Sequence, residues 1–348
     1  MVTNQVTIDD FELLKVIGKG TYGKVFLVRK KDTNEFMAMK TLKKSILSQK
    51  NQVEHTRAER NILARIRHPF VVKLHYAFHN QKKLYFILEY CQGGELFFHL
   101  SKARLFDESR AKFYAACIVL ALEELHKHGV VYRDLKPENV LIDSSGYAKL
   151  TDFGLSKENI TDNASARTFC GTPEYLAPEV VQKKGHGRAV DWWSLGCIIF
   201  EMLTGLPPFY VENKCEVYRK VVCEDAKYPE DLTPTTLHLL RSLLKKDPYQ
   251  RLGSEGGAEE VKAHIWFCDI NWEALYNRQV TPPFVPVLEG QGDFRYVDEV
   301  FLRSPPRDSV YLQGGSPCSS TFEGFSYQGS PTSEFEIKMK DENEWFFG

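Results

Sequence analysis

The chain carries almost no net charge. Forty-five Lys and Arg stand against 46 Asp and Glu, a formal balance of −1, so no basic surface argues for nucleic acid or a membrane. Its eight cysteines form no CxxC pair and no Cys/His ligand spacing. That excludes a zinc-finger or disulfide framework and points to free thiols in a reducing compartment. Long apolar runs are also missing: the most apolar stretch, Trp192 to Phe200, is bounded by Asp191 and Glu201 and is too short to span a bilayer. Met1-Val2-Thr3-Asn4-Gln5 has no signal pattern, and no internal repeat is visible. A soluble, intracellular protein is expected. With 348 residues, 43% apolar and 26% charged, the chain can bury a full core, in two lobes or domains.

What is present is concentrated in Tyr132-Arg133-Asp134-Leu135-Lys136-Pro137-Glu138-Asn139, followed by Asp152-Phe153-Gly154. Between them, Val140-Leu141-Ile142 and Ala148-Lys149-Leu150 read as short strands around an Asp143-Ser144-Ser145-Gly146 turn. Such a hairpin brings two acids and an amide to one edge of a cleft, the set that phosphoryl transfer needs. Asp152 is expected to hold Mg²⁺ against ATP and Asn139 a second ion. Asp134 accepts the hydroxyl proton, and Lys136 neutralises charge on the transferred group. The bland alternative is a surface hairpin with ordinary turn acids.

Upstream, a strand-like alternation through Phe11, Leu13, Val16 and Ile17 runs into Gly18-Lys19-Gly20-Thr21-Tyr22-Gly23-Lys24-Val25. A dinucleotide fold would need a helix directly after these glycines. Val25-Phe26-Leu27-Val28 continues as a strand instead, so the glycines form the tip of a hairpin that can lie over phosphates. The next strand, Phe36-Met37-Ala38-Met39-Lys40, ends in a lysine whose desolvation requires a partner. Glu59, in a helix over Glu54–Arg65, is the candidate; a solvated helix face is the plainer reading of that acid. Strands around Leu74–Phe78 and Leu84–Leu88 precede Glu89-Tyr90-Cys91-Gln92-Gly93-Gly94, where a mostly β part gives way to a mostly α part. Asp107 can cap a helix ended by Gly129. Trp192–Leu203 reads as a buried helix, and Leu237–Leu244 and Ala258–His264 as further ones. Beyond about residue 268, Thr281-Pro282-Pro283-Phe284-Val285-Pro286 is an extended run. After Arg303 the composition is that of a segment with no core of its own.

Over residues 11–267 this set resembles the eukaryotic protein kinases: glycine loop, strand lysine, helix glutamate, catalytic loop, Asp152-Phe153-Gly154 and Ala177-Pro178-Glu179 in order. Tyr132 and the run Thr168-Phe169-Cys170-Gly171-Thr172-Pro173-Glu174-Tyr175 resemble the AGC group. Phe11-Glu12-Leu13-Leu14, Arg188-Ala189-Val190-Asp191-Trp192-Trp193 and Ile270-Asn271-Trp272-Glu273 are similar to the ribosomal protein S-six kinases. The resemblance implies an α+β, bilobal kinase fold. A small β-rich N-lobe (about 11–90) with one regulatory helix precedes a larger helical C-lobe (about 91–267) and an extended C-terminal tail (268–348). It implies a serine/threonine protein kinase using ATP and Mg²⁺, monomeric, and cytoplasmic or nuclear. Ile17, Gly18, Gly20, Gly23, Val25, Ala38, Lys40, Leu88, Glu89 and Cys91 would hold the nucleotide. Lys136-Pro137-Glu138, with Thr172 holding Asp134 and Lys136, argues against tyrosine as acceptor. Glu95, Glu138 and Glu201 would grip substrate arginines, and Glu179 would pair with Arg251. A pseudokinase scaffold would have lost Lys40, Asp134 or Asp152, and none is lost.

The resemblance also implies switches. Thr168 is the activation-loop site, with Arg133, Lys157 and His55 as cationic partners for its phosphate. Arg167 departs from relatives. Phe322-Glu323-Gly324-Phe325-Ser326-Tyr327 resembles the hydrophobic motif, which would dock beside the Glu59 helix and be strengthened by phosphate on Ser326. Ser309 has the turn-motif spacing to Ser326, although Val310 replaces the usual proline; Ser304-Pro305 has the proline and lies too far upstream. Val297-Asp298 departs from the usual Phe-Asp over the nucleotide. Phe335-Glu336-Ile337-Lys338-Met339 is a faint match to a TOR-recruiting signal in an otherwise unstructured tail. Upstream kinases of the phosphoinositide-dependent and TOR types are implied as partners. No lipid-binding domain is expected before residue 11.

Overall fold

The alternating opening becomes an antiparallel ladder in the computed structural model, which describes residues 6–158, 170–308 and 322–329. β1 (Phe11–Lys19) and β2 (Gly23–Lys30) pair across the glycine tip, Lys19 opposite Lys24. β3 (Phe36–Lys43) follows, then α1 (Lys44–Gln49) and α2 (Val53–Arg65). β4 (Leu74–His79) and β5 (Lys83–Glu89) complete the chain's own hairpins. Short α1 is not visible in the apolar pattern; α2 is the helix that carries Glu59.

Period-two geometry sorts the side chains of β3 onto two faces. Met37 and Met39 join an outer cluster with Phe26, Val28 and Ile87, covered by Val6 and Ile8. Ala38 and Lys40 therefore turn the other way, toward α2 and the second lobe. Gly23 is required by packing: a Cβ there would sit 1.6 Å from the Thr41 carbonyl oxygen.

Beyond the double glycine come β6 (Gly94–Glu95), α3 (Leu96–Ala103) and α4 (Glu108–Lys127). Asp107 caps α4 by accepting from Arg110 N at 2.9 Å, in keeping with its position before the apolar run. The hairpin β7 (Val140–Ile142) and β8 (Ala148–Leu150) pairs with β6. α5 (Pro178–Val181) and α6 (Ala189–Thr204) follow, and in α6 every residue from Ala189 to Met202 is buried. Next come α7 (Lys214–Cys223), α8 (Pro234–Leu243), α9 (Gly257–Lys262) and α10 (Trp272–Tyr276). α8 begins three residues earlier than its apolar pattern indicates, because Thr233 caps it by accepting from Thr236 N at 3.2 Å.

The tail returns to the small lobe. Tyr90 donates its hydroxyl to Asp293 O at 2.7 Å, and α11 (Glu299–Leu302) packs against β1. Asp308 takes bonds from Lys83 Nζ and Tyr85 Oη. β9 (Tyr327–Gln328) then adds to the edge of β4, Ala77 opposite Tyr327. No strand pattern marks these two residues; an exposed edge with unpaired amides supplies the template. No helix among the described residues is long and apolar enough to cross a membrane.

Candidate active site

The site lies where β3, α2 and the loops around β7 and β8 meet. Lys40 Nζ donates to Glu59 Oε1 at 2.6 Å and to Asp152 Oδ1 at 3.0 Å. Burial alone would lower the Lys40 pKa, but the charges of Asp152 and Glu59 outweigh it and hold the ammonium above its ordinary value. The Lys40 charge in turn keeps Asp152 below the usual carboxylate range. Asp152 has φ 57°, a left-handed conformation uncommon for a non-glycine residue.

A second network surrounds Asp134. Lys136 Nζ donates to Asp134 Oδ2 at 2.9 Å and to Thr172 Oγ1 at 3.0 Å. Asn139 Nδ2 donates to Asp134 O and to Asp134 Oδ2, both at 2.8 Å. Burial raises the Asp134 pKa against the pull of Lys136, and the nearby Asp152 charge adds to the rise. Thr172 thus bridges to both Asp134 and Lys136, as its motif implied.

The loop carrying Asp134 is held from below by a residue that reads in sequence only as the boundary of an apolar run. Asp191, fully buried in the first turn of α6, accepts from Tyr132 N at 2.9 Å and Arg133 N at 2.8 Å. His126 Nε2 lies 2.8 Å from Asp191 Oδ2, the oxygen that also takes Tyr132 N. A buried carboxylate is tolerated only when satisfied in this way. An acid opening an otherwise apolar helix was the available signal.

Several residues assigned to the nucleotide are neighbours of Lys40 in the sheet. Ala38 is opposite Leu88 across the β3–β5 ladder, and Val25 is opposite Lys40 across β2–β3. Ile17 and Val25 pack half-buried against the core. Glu89 N donates to Lys73 O and Cys91 O accepts from Gly94 N, which fixes the connecting backbone; the Glu89 carboxylate pairs with Lys149 at 2.9 Å. A Cβ on Gly18 would press on Val25 at 3.3 Å, whereas one on Gly20 would meet nothing within 4 Å. Packing within the protein gives no reason for glycine at position 20.

Glu95, Glu138 and Glu201 converge. Glu95 and Glu201 are each pushed up to about 7, by burial first, with the charge of Glu138 acting on both. Glu138 Oε2 is buried with no partner. Glu201 accepts from the Tyr175 hydroxyl at 2.5 Å, a contact the sequence did not disclose. Glu179 and Arg251 form the expected pair, bidentate at 2.7 and 2.9 Å, with the arginine side chain wholly buried.

The switch residues are only partly brought together. Thr168 and Ser309 lie outside the described residues. Arg133 and Lys157 both act electrostatically on Cys170 and His186. Arg133 donates Nε to Leu155 O at 2.7 Å and leaves NH1 buried without a partner. His55 is on the first turn of α2, its Nδ1 2.9 Å from Gln52 Oε1. In the tail, Phe322 and Phe325 are 1% and 3% exposed. Phe325 meets Phe86 edge-on at 5.3 Å, and Lys44 stands over Phe322 at 5.1 Å. Arg60, adjacent to Glu59, donates to the carbonyls of Gly324, Phe325 and Ser326, while Ser326 itself is exposed.

Known proteins bear out the chemistry this geometry suggests. The family described as Protein kinase domain matches residues 11–267. A RAC family serine/threonine-protein kinase homolog from Dictyostelium discoideum is 49% identical over 330 residues, covering 93% of this chain and 73% of that protein. Human serine/threonine-protein kinase Sgk1 is 48% identical over 338 residues, covering 94% and 78%. RAC-beta serine/threonine-protein kinase A from Xenopus laevis is 50% identical over 333 residues, covering 94% and 68%. The chain belongs to the protein kinase family, as an ATP-using serine/threonine protein kinase of the AGC type.

Proposed function

We propose that this kinase phosphorylates serine and threonine in Arg-rich segments of protein substrates, with Mg²⁺, and that phosphate on Thr168 and Ser326 turns it on. The observation that carries the substrate class is the orphaned, buried Glu138 oxygen within electrostatic reach of Glu95 and Glu201. Mutually repelling carboxylates, none of them ion-paired among the described residues, favour a cation. A guanidinium, with five donors in a planar fork, satisfies several carboxylate oxygens at once.

The donor set fits Mg²⁺. Asp152 offers a carboxylate held in its charged form. Asn139, with its amide nitrogen committed to Asp134, offers its carbonyl oxygen. One carboxylate and one amide oxygen are what an ion held mainly by phosphates and water takes from a protein. Bound there, the ion neutralises phosphate charge. Lys40, pinned by Glu59, is set to hold the phosphates from the other side. The open space over Gly20 suits close approach of the backbone to them. Asp134 orients the acceptor hydroxyl and takes its proton, its raised pKa making it a better base. Lys136, shared between Asp134 and Thr172, meets the transferred group, so transfer is mostly positioning and electrostatics.

For the switch, the support is Arg133. Its buried, unpartnered NH1 belongs to the residue next to Asp134, and Lys157 lies close by. A phosphate on Thr168 would bring about −1.5 to −2 charge to them. For the tail, the support is the docked Phe322 and Phe325 beside α2. Ser309 is the proposed turn-motif site, His55 a third phosphate partner, and Asp298, capping α11, part of the tail's crossing of the cleft. Upstream kinases of phosphoinositide-dependent and TOR types, a monomeric state and a cytoplasmic or nuclear location complete the reading. Within the AGC type, a likeness to the ribosomal protein S-six kinases rests on short runs such as Phe11-Glu12-Leu13-Leu14 and Ile270-Asn271-Trp272-Glu273. The similar proteins from Dictyostelium, human and Xenopus carry RAC and Sgk1 names instead.

Steady-state kinetics on paired serine peptides, one with upstream arginines and one with alanines, test the substrate class. The alanine peptide should have a KM raised about tenfold or more on the wild type and much less on Glu138→Gln. Equal KM values on the wild type would overturn it.

A further inference from the structure

The large lobe holds a cavity of about 620 Å³ away from the catalytic residues, between the segment after α7 and the end of α8. That volume is in the range of small-molecule sites. Ala226, Leu244 and the half-buried ring of Tyr228 form an apolar floor.

Three cations stand around this floor within six consecutive positions: Arg241, Lys245 and Lys246. The Arg241 guanidinium is 5.6 Å from the Tyr228 ring centre. Lys246 is packed over Phe209 at 4.2 Å and Trp193 at 5.2 Å, two rings that stack on each other, and spends one donor on the Val221 carbonyl at 2.7 Å. Burial brings its pKa down to about 8, partly offset by the charge of Asp225. Asp247 is occupied in its own turn, accepting from Tyr249 N and Gln250 Nε2. Asp225 is exposed and makes no ion pair within the described residues. Arg241 and Lys246 rest on aromatic rings, Lys245 is exposed, and none of the three is ion-paired among the described residues, so N–H donors and a net positive charge are left to a ligand.

We propose that this cavity binds an aromatic phosphate monoester, its ring on the Ala226–Leu244–Tyr228 floor and its phosphate on Arg241, Lys245 and Lys246. An apolar floor alone would take any aromatic group. Three cations alone would take any anion. The combination selects a ring and a dianionic head together. The same chemistry is found in free aryl phosphates and in a phosphotyrosine side chain.

Titration of the full chain with phenyl phosphate, inorganic phosphate and benzyl alcohol, followed by NMR at Ala226 and Lys246 and by calorimetry, tests this. Phenyl phosphate should bind at least tenfold tighter than either fragment, and the Lys246 pKa should move up on binding, since an adjacent anion favours the charged form. Arg241→Gln and Lys245→Gln alter exposed side chains and should each weaken binding about tenfold with unfolding temperature unchanged. A phosphotyrosine peptide binding well above phenyl phosphate assigns the site to a protein ligand; equal binding assigns it to a small molecule. Inorganic phosphate or benzyl alcohol binding as tightly as phenyl phosphate would overturn the proposal. So would binding indifferent to both variants while Lys246 keeps its titration.

Discussion

Arg60 Nε donates to the Phe325 carbonyl at 3.0 Å, joining the tail segment 322–329 to the helix that carries Glu59. The preceding residue of that helix holds Lys40 at 2.6 Å. Tail docking and the Lys40–Glu59 pair are thus carried by adjacent residues of one helix. Truncating Phe325 to Ala removes a buried ring, a change that costs about 3–5 kcal/mol in a packed core. The variant should lose protection of the Ala77 amide region, where β9 pairs, and its kcat should fall about tenfold or more. Hydrogen exchange together with steady-state kinetics checks both, and unchanged kcat with a released β9 would separate the tail from the catalytic pair.

The acid cluster predicts a pH dependence. Glu95 and Glu201 are raised to about 7, and a bound guanidinium favours their ionised forms. Affinity for an Arg-rich peptide should therefore be fully present above pH 7 and be lost as pH falls through it. KM for that peptide should rise between pH 7.5 and 6 by more than KM for its alanine counterpart. Parallel profiles for the two peptides would count against the assignment.

Glu179 and Arg251 form a buried bidentate pair with no exposure on the arginine. Removing one partner strands a charge, which typically costs about 3–5 kcal/mol. Arg251→Ala should lower thermal stability far more than Arg219→Ala, whose partners Glu216 and Glu224 are at the surface. Differential scanning calorimetry of the two variants gives the comparison.

Asp191 satisfies the Tyr132 and Arg133 amides from beneath the catalytic loop. Asp191→Asn keeps the volume but replaces one acceptor oxygen with a donor, facing a backbone N–H against an N–H. The variant should keep its KM for ATP, whose candidate residues lie mainly in the other lobe, while kcat drops by about one to two orders of magnitude.

Much of this arrangement was legible in the chain. Alternation in β3 fixes which way Lys40 points once Met37 and Met39 take the outer face. The short strands after Asn139 force Asp152 back toward Asp134. Glycines running into a strand, not a helix, separated a phosphate-covering hairpin from a dinucleotide site. What was not legible depends on contacts between distant segments. Nothing near Asp191 in sequence indicates that its two acceptor oxygens meet Tyr132 and Arg133. Arg60 looks like any charged helix residue until three tail carbonyls arrive. The Tyr175 hydroxyl on Glu201 and the two-residue β9 have no periodicity to betray them, because one is a single bond and the other borrows its register from β4.

Metal-assisted transfer to an Arg-rich hydroxyl peptide, under control of Thr168, can be followed as radiolabelled phosphate leaving ATP. Wild type phosphorylated on Thr168, Thr168→Ala and Asp152→Ala would be compared on one serine peptide with Mg²⁺. Rapid transfer is expected from the first, a loss of at least tenfold in the second, and no measurable transfer by the third with the fold intact. Equal transfer by all three proteins, or none by the phosphorylated wild type despite ATP binding, would refute this mechanism and its switch.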